Sequence, residues 1–178
     1  MKPSRLIYFD NNASTQVAPE VLEEMMPYFT EFYGNPSSLY PFGGQLAGEI
    51  AKARIRVAEL IGARLDVEIH FTSGATESNN AAIRGALAAH PEKRHVIISQ
   101  VEHDCVLNVA ADLEANGYSV TRIPVDHAGQ IDLNELEKNI RPDTALISVM
   151  YANNETGVIS PVEKIGETWE ISIHPDGP

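Results

Sequence analysis

Residues 95–126 read HVIISQVEHDCVLNVAADLEANGYSVTRIPVD. The apolar run HVIIS is strand-like, the segment VEHDCVLNVAADLEANG after it is helix-like, and YSVTRIPVD is a second strand-like run. Strand, helix, strand is the rhythm of a parallel sheet, since parallel neighbours need a crossover of a dozen or more residues. Reading outward, EIHFTSG (68–74) predicts a short strand opening into the helix ATESNNAAIRGALAAH (75–90). Downstream, IDLNELEKNI (131–140) predicts a short amphipathic helix capped by Asp132, and TALISVMYA (144–152) a fully buried strand. The expected class is therefore α/β, a parallel-rich sheet of four or five strands with helices on both faces.

Towards the amino terminus, LIYFD predicts a first strand. A helix from about Pro19 to Phe32 follows, with Val21, Leu22, Met25, Met26 and Phe29 at helical spacing. The loop YGNPSSLYPFGG leads to a second helix from about Gln45 to Ile61, stopped by Gly62. At the other end the helical pattern starts at PVEKIGE and breaks over ETWEISIHPDGP (167–178), so the ending reads as truncated.

The 178 residues are 43% hydrophobic and 21% charged, as in ordinary soluble globular proteins, and no apolar run reaches the length of a membrane span. The start MKPSRLIYFD lacks the apolar core and cleavage site of a secretory signal, which predicts a cytoplasmic protein. A net charge of -12 without a basic cluster argues against nucleic acid as partner. Cys105 is the single cysteine, which excludes an internal disulfide, and the histidines show no ligand spacing, so no metal site is expected.

Candidate chemistry gathers at strand ends. The turn HFTSGATESNN (70–80) offers the N–H groups of a helix start, with Thr72, Ser73 and Thr76 nearby; either its Ser and Thr simply cap the helix, or the turn binds a phosphate or carboxylate. His103, past the carboxyl end of HVIIS, is either a hydrogen-bonded structural residue or a proton-moving group able to stack on an aromatic cofactor. Glu102 and Asp104 flank it and point the other way. Asn153, Asn154 and Glu155 follow TALISVMYA and read equally as a polar turn or as ligand donors. DNNAST (10–15) has the same two readings. Cys105 has no cationic neighbour in sequence to favour a thiolate and reads as structural.

Taken in order, YFDNNAST, FYGNPSS, FTSGATESNN, VEHDCVLN and SVMYANNETGV resemble the NifS/IscS-type cysteine desulfurases among the class V aminotransferase-like enzymes, over about Ile7 to Gly166. The resemblance implies the large domain of a fold-type I transferase dependent on pyridoxal 5'-phosphate, in its N-terminal part. Residues 1–15 would lie on the small-domain side, 16–166 in the cofactor-binding domain, and 167–178 in a divergent tail. It also implies a homodimer that takes sulfur from L-cysteine, leaving L-alanine, and passes it as an enzyme persulfide to a scaffold protein of iron-sulfur cluster assembly. Ala75 and Thr76 would hold the cofactor phosphate, His103 would stack on the ring and shuttle protons, and Asn154 would donate to the phenolic oxygen. Asn11, Asn12 and Ala13 would lie near the substrate carboxylate.

The departures carry equal weight. The family's Ser-x-His-Lys stretch, with the lysine that holds the cofactor, is absent, as are its persulfide cysteine and substrate-binding arginine. Lys2, Lys52, Lys93, Lys138 and Lys164 have no comparable context. SIHPDGP faintly resembles the segment bearing the family's pyridinium partner, which would make that partner Asp176. The chain by itself is expected to be inactive. Rival readings are another class V enzyme, such as a selenocysteine lyase, or a non-catalytic dimerisation or binding module.

Overall fold

A computed structural model describes residues 7–173; Lys2 and Asp176 lie outside them. The chain forms two compact units that divide between Phe71 and Thr72.

The first unit is helical. α1 (Pro19–Met25) starts with proline in its first turn, where the missing N–H costs nothing. The single helix expected through Phe32 is broken: Pro27 cannot donate to the turn before it, so a new short helix, α2 (Pro27–Thr30), begins there. α3 (Pro41–Ile61) starts four residues before the expected Gln45, again on a proline, and ends at Gly62 in the left-handed region, φ 73°. Gly43 has no room for a side chain, because a Cβ would stand 2.6 Å from the Ser38 Cβ. The predicted strands LIYFD and EIHFTSG do not form: no described residue of either is in a strand. Around Asp10 the chain turns, with Ala13 and Ser14 donating to the Asp10 carbonyl. Ahead of Ile69 the residues Asp66–Glu68 make a 3-10 turn, whose Glu68 carboxylate accepts the N–H of Arg64 and Leu65.

The second unit holds the sheet. α4 (Ala75–Ala89) leads to β1 (His95–Ser99), α5 (Asp104–Ala115), β2 (Ser119–Ile123), α6 (Leu133–Asn139), β3 (Thr144–Ser148) and α7 (Val162–Ile173). Among the described residues the sheet has three strands, not four or five, in the order β2-β1-β3, all parallel. β1 is buried throughout, and its side chains alternate between two cores. Val96 and Ile98 pack with Ile83 and Leu87 of α4 and Val106, Val109 and Leu113 of α5. Ile97 packs on the opposite face with Ile123, Ile131, Leu136 of α6 and Ile165 of α7. Asp132 caps α6 as expected, its Oδ1 accepting the N–H of Asn134 and Glu135 at 3.0 Å. The tail departs from expectation: α7 continues through Trp169, whose ring lies 5.6 Å from the Lys93 ammonium.

At the amino-terminal edge, fully buried His95 staples the strands together, Nδ1 lying 2.8 Å from Thr144 Oγ1 of β3 and Nε2 2.9 Å from Thr121 Oγ1 of β2. Burial, and then the nearby Arg141 charge, push its pKa down, with Asp143 opposing. In the unfolded chain the ring regains its ordinary value near about 6.5. The unfolded state therefore binds more protons once the pH falls through that value, and the stability present in full above it is lost on acidification. The melting temperature is expected to fall between about pH 7.5 and 5.5, with a flatter profile in His95→Gln. Equal slopes in both proteins would show that His95 does not titrate as argued.

Candidate functional site

The order β2-β1-β3 creates a switch point. After β1 the chain crosses to one face of the sheet as α5, and after β3 to the other as α7. The connections leaving the carboxyl ends of these neighbours run to opposite faces, and such a switch point is where open α/β sheets take ligands. Both sequence-predicted loops, His103 and Asn153–Asn154, flank it.

His103 is exposed and is the N-cap of α5, its Nδ1 accepting the Cys105 N–H at 3.1 Å. That hydrogen bond keeps the proton of the neutral ring on Nε2. Cys105 is buried in the first core, and its Sγ accepts from Asn79 Nδ2 at 3.0 Å, which ties the start of α4 to the start of α5.

The α4 start differs in detail from its sequence reading. Gly74 is extended, φ 165° and ψ 176°, so it supplies no left-handed turn; it offers no capping side chain, and a Cβ there would meet nothing within 4 Å. Thr72 and Ser73 brace the loop instead of facing a ligand. Thr72 Oγ1 lies 2.7 Å from Ser78 Oγ, while Ser73 N–H and Oγ donate to Glu77 Oε2 at 2.8 and 2.6 Å. Those bonds hold the Glu77 carboxyl below the usual carboxylate range. The first-turn N–H groups of Ala75 and Thr76, both exposed, have no acceptor within the helix and no side-chain cap. They are the donors that suit a phosphate, with Glu77 as a competing negative charge.

Asn153, half-buried, organises the third element. Its Oδ1 accepts the N–H of Glu155 and Thr156 at 3.0 and 2.9 Å, and its Nδ2 donates to the Val101 carbonyl at 3.2 Å. Asn154 is exposed, with Nδ2 donating to Glu155 Oε1 at 2.9 Å. Glu102, read from sequence only as a neighbour of His103 that points the other way, is buried, and its Oε1 accepts from Ser99 Oγ and the Met150 N–H. Its one visible signal was its inward position beside an outward His103. Asn11, Asn12 and Ala13 belong to the first unit, where Asn11 Nδ2 donates to Thr15 Oγ1 at 3.1 Å. Among the described residues no three His, Cys, Asp or Glu side chains gather as metal ligands, and no helix is long and apolar enough to cross a membrane.

Fold and strand-end loops thus define a class: an α/β domain whose sheet switch point carries an exposed imidazole, loop amides and a helix start without a side-chain cap. The model of the aminotransferase class-V family matches residues 7–174, and the chain belongs to that family. Cysteine desulfurase 2 of Trichormus variabilis is 60% identical over 161 residues, covering 90% of this chain and 40% of that protein. A solved NifS-like protein is 41% identical with a TM-score of 0.89, over 93% of this chain and 46% of that one. A structure described as SspA in complex with cysteine is likewise 41% identical, TM-score 0.85, over 96% of this chain and 48% of that one. The chain therefore spans about two-fifths to one-half of the proteins it matches.

Proposed function

We propose that this chain forms the cofactor-phosphate and ring-facing part of a cysteine desulfurase dependent on pyridoxal 5'-phosphate. The observation that carries the reading is the arrangement at the carboxyl edge of the sheet: the uncapped start of α4, the exposed His103 and the Asn153–Asn154 loop, linked by Asn79–Cys105 and Glu102–Met150. Likeness to named cysteine desulfurases and to a cysteine complex supports the substrate. When bound, the cofactor supplies an electron sink for bonds made and broken next to the amino acid's α-carbon.

The residues present fit such a group. The Ala75 and Thr76 N–H groups bind its phosphate at the positive end of α4. His103 would lie against the ring, where its Nε2 would hold or deliver a proton. Asn154, whose amide donates to Glu155, would be the donor to the phenolic oxygen. In such an enzyme, a homodimer in the reducing cytoplasm, the C–S bond of L-cysteine would break to leave L-alanine while an enzyme cysteine thiolate other than buried Cys105 takes the sulfur as a persulfide and passes it to an iron-sulfur scaffold protein.

Within these 178 residues there is no Ser-x-His-Lys stretch, and the one thiol is buried. The chain alone is expected to bind pyridoxal phosphate, seen as a saturable shift in its absorbance, without releasing sulfide or alanine from L-cysteine faster than free cofactor does. Failure to bind would remove the cofactor reading. Turnover above free cofactor would mean that another group performs the missing steps.

A further inference from the structure

The backbone ladder between β1 and β3 ends at Ile98 and Ser148, yet the crevice is built from what lies beyond it. Two residues past Ser148, on the same side of the strand, the Met150 N–H points back toward β1 with no strand carbonyl to meet it. Glu102 supplies the acceptor. Its side chain folds inward, 8% exposed, and Oε1 takes the Met150 N–H at 2.7 Å and the Ser99 hydroxyl at 2.8 Å. The Asn153 amide adds a second tie at the Val101 carbonyl. The next residue along the chain is His103, whose ring is held by the Cys105 N–H.

We infer that Glu102 is the positioning residue of the crevice: its carboxylate stands in for the missing strand carbonyl, fastens the 99–103 loop to the 149–154 loop, and so fixes His103 against the Asn153–Asn154 turn. What matters is an acceptor oxygen at the right reach; the negative charge is secondary. The clasp involves no ligand, and only its effect on pyridoxal phosphate rests on the function proposed above.

The test uses the whole chain and needs no turnover. In the unaltered protein the Met150 amide should be protected from hydrogen exchange like the ladder amides beside it; rapid exchange would overturn the clasp before any substitution is made. Glu102→Gln keeps length and an acceptor oxygen while losing charge, and Glu102→Asp keeps charge while shortening the reach. With ring nitrogens observed by NMR, Glu102→Asp should expose the Met150 amide and let His103 populate both tautomers, while Glu102→Gln keeps the parent spectrum. Pyridoxal phosphate affinity should fall at least about tenfold in Glu102→Asp and stay within about twofold in Glu102→Gln. The reverse order, or equal behaviour of the two variants, would overturn the proposal. If the unaltered chain binds no pyridoxal phosphate but the spectra behave as stated, the clasp stands and the cofactor reading falls.

Discussion

Ile97→Ala should lower the unfolding free energy by about 2–5 kcal/mol, the range for an aliphatic residue cut back in a core that cannot collapse around the gap. Ile97 is fully buried in the central strand, and its side chain fills the second core between Ile123 of β2, Leu136 of α6 and Ile165 of α7. Its neighbours on both sides are strands in a fixed register, so the backbone cannot close the cavity. Ile97→Val, which removes one methyl group, should cost only about 0.5–1.5 kcal/mol. Urea unfolding followed by far-UV circular dichroism measures both, with an unchanged slope showing that the unfolded state is unaltered. A loss below about 1 kcal/mol in Ile97→Ala would mean that the second core is loosely packed.

The second expected result concerns the α4 start. Ala75→Pro deletes one N–H at the first helical position, where proline fits the helix and no internal hydrogen bond is lost. Helix content should stay the same. If the cofactor phosphate takes that N–H, the lost charge-assisted hydrogen bond, about 1.5–3 kcal/mol, weakens pyridoxal phosphate binding roughly 10- to 100-fold. Ala75→Gly, which keeps the donor, should bind within a few-fold of the parent protein. Equal affinity in Ala75→Pro and Ala75→Gly would mean that the phosphate does not sit on this amide.

Much of the second unit was legible because its signals are local. HVIIS, the Asp132 cap and the α5 segment each announce themselves within a few residues, and the structure keeps them. The misreadings share a different cause. EIHFTSG has strand-like composition, but a strand exists only by pairing, and none of its described residues is in a sheet. Pro27 was overlooked because the apolar spacing runs straight across it, although spacing cannot supply the missing N–H. The sequence pattern breaks at residue 167 for want of a polar-apolar rhythm, yet α7 continues through Trp169.

The site divides along the same line. His103 and the Asn153–Asn154 turn were visible because strand ends in an α/β sheet are where ligands go. Glu102 was not, because its meaning lies in the Met150 N–H on another loop, a partner no spacing rule brings near. Thr72 and Ser73 read by composition either as helix caps or as phosphate ligands, and the structure commits them to Ser78 and Glu77.

The histidine staple has a consequence for how this sheet can evolve. His95 joins two hydroxyls on two different strands, and Thr144 Oγ1 also accepts the Arg141 N–H. An aliphatic residue at 95 alone would take a hydrogen-bond partner from the buried Thr144 hydroxyl and from the half-buried Thr121 hydroxyl, and a smaller one would also leave a void. Positions 95, 121 and 144 are thus expected to drift as one unit among descendants of this sequence, either all polar or all apolar, with mixed sets purged as unstable.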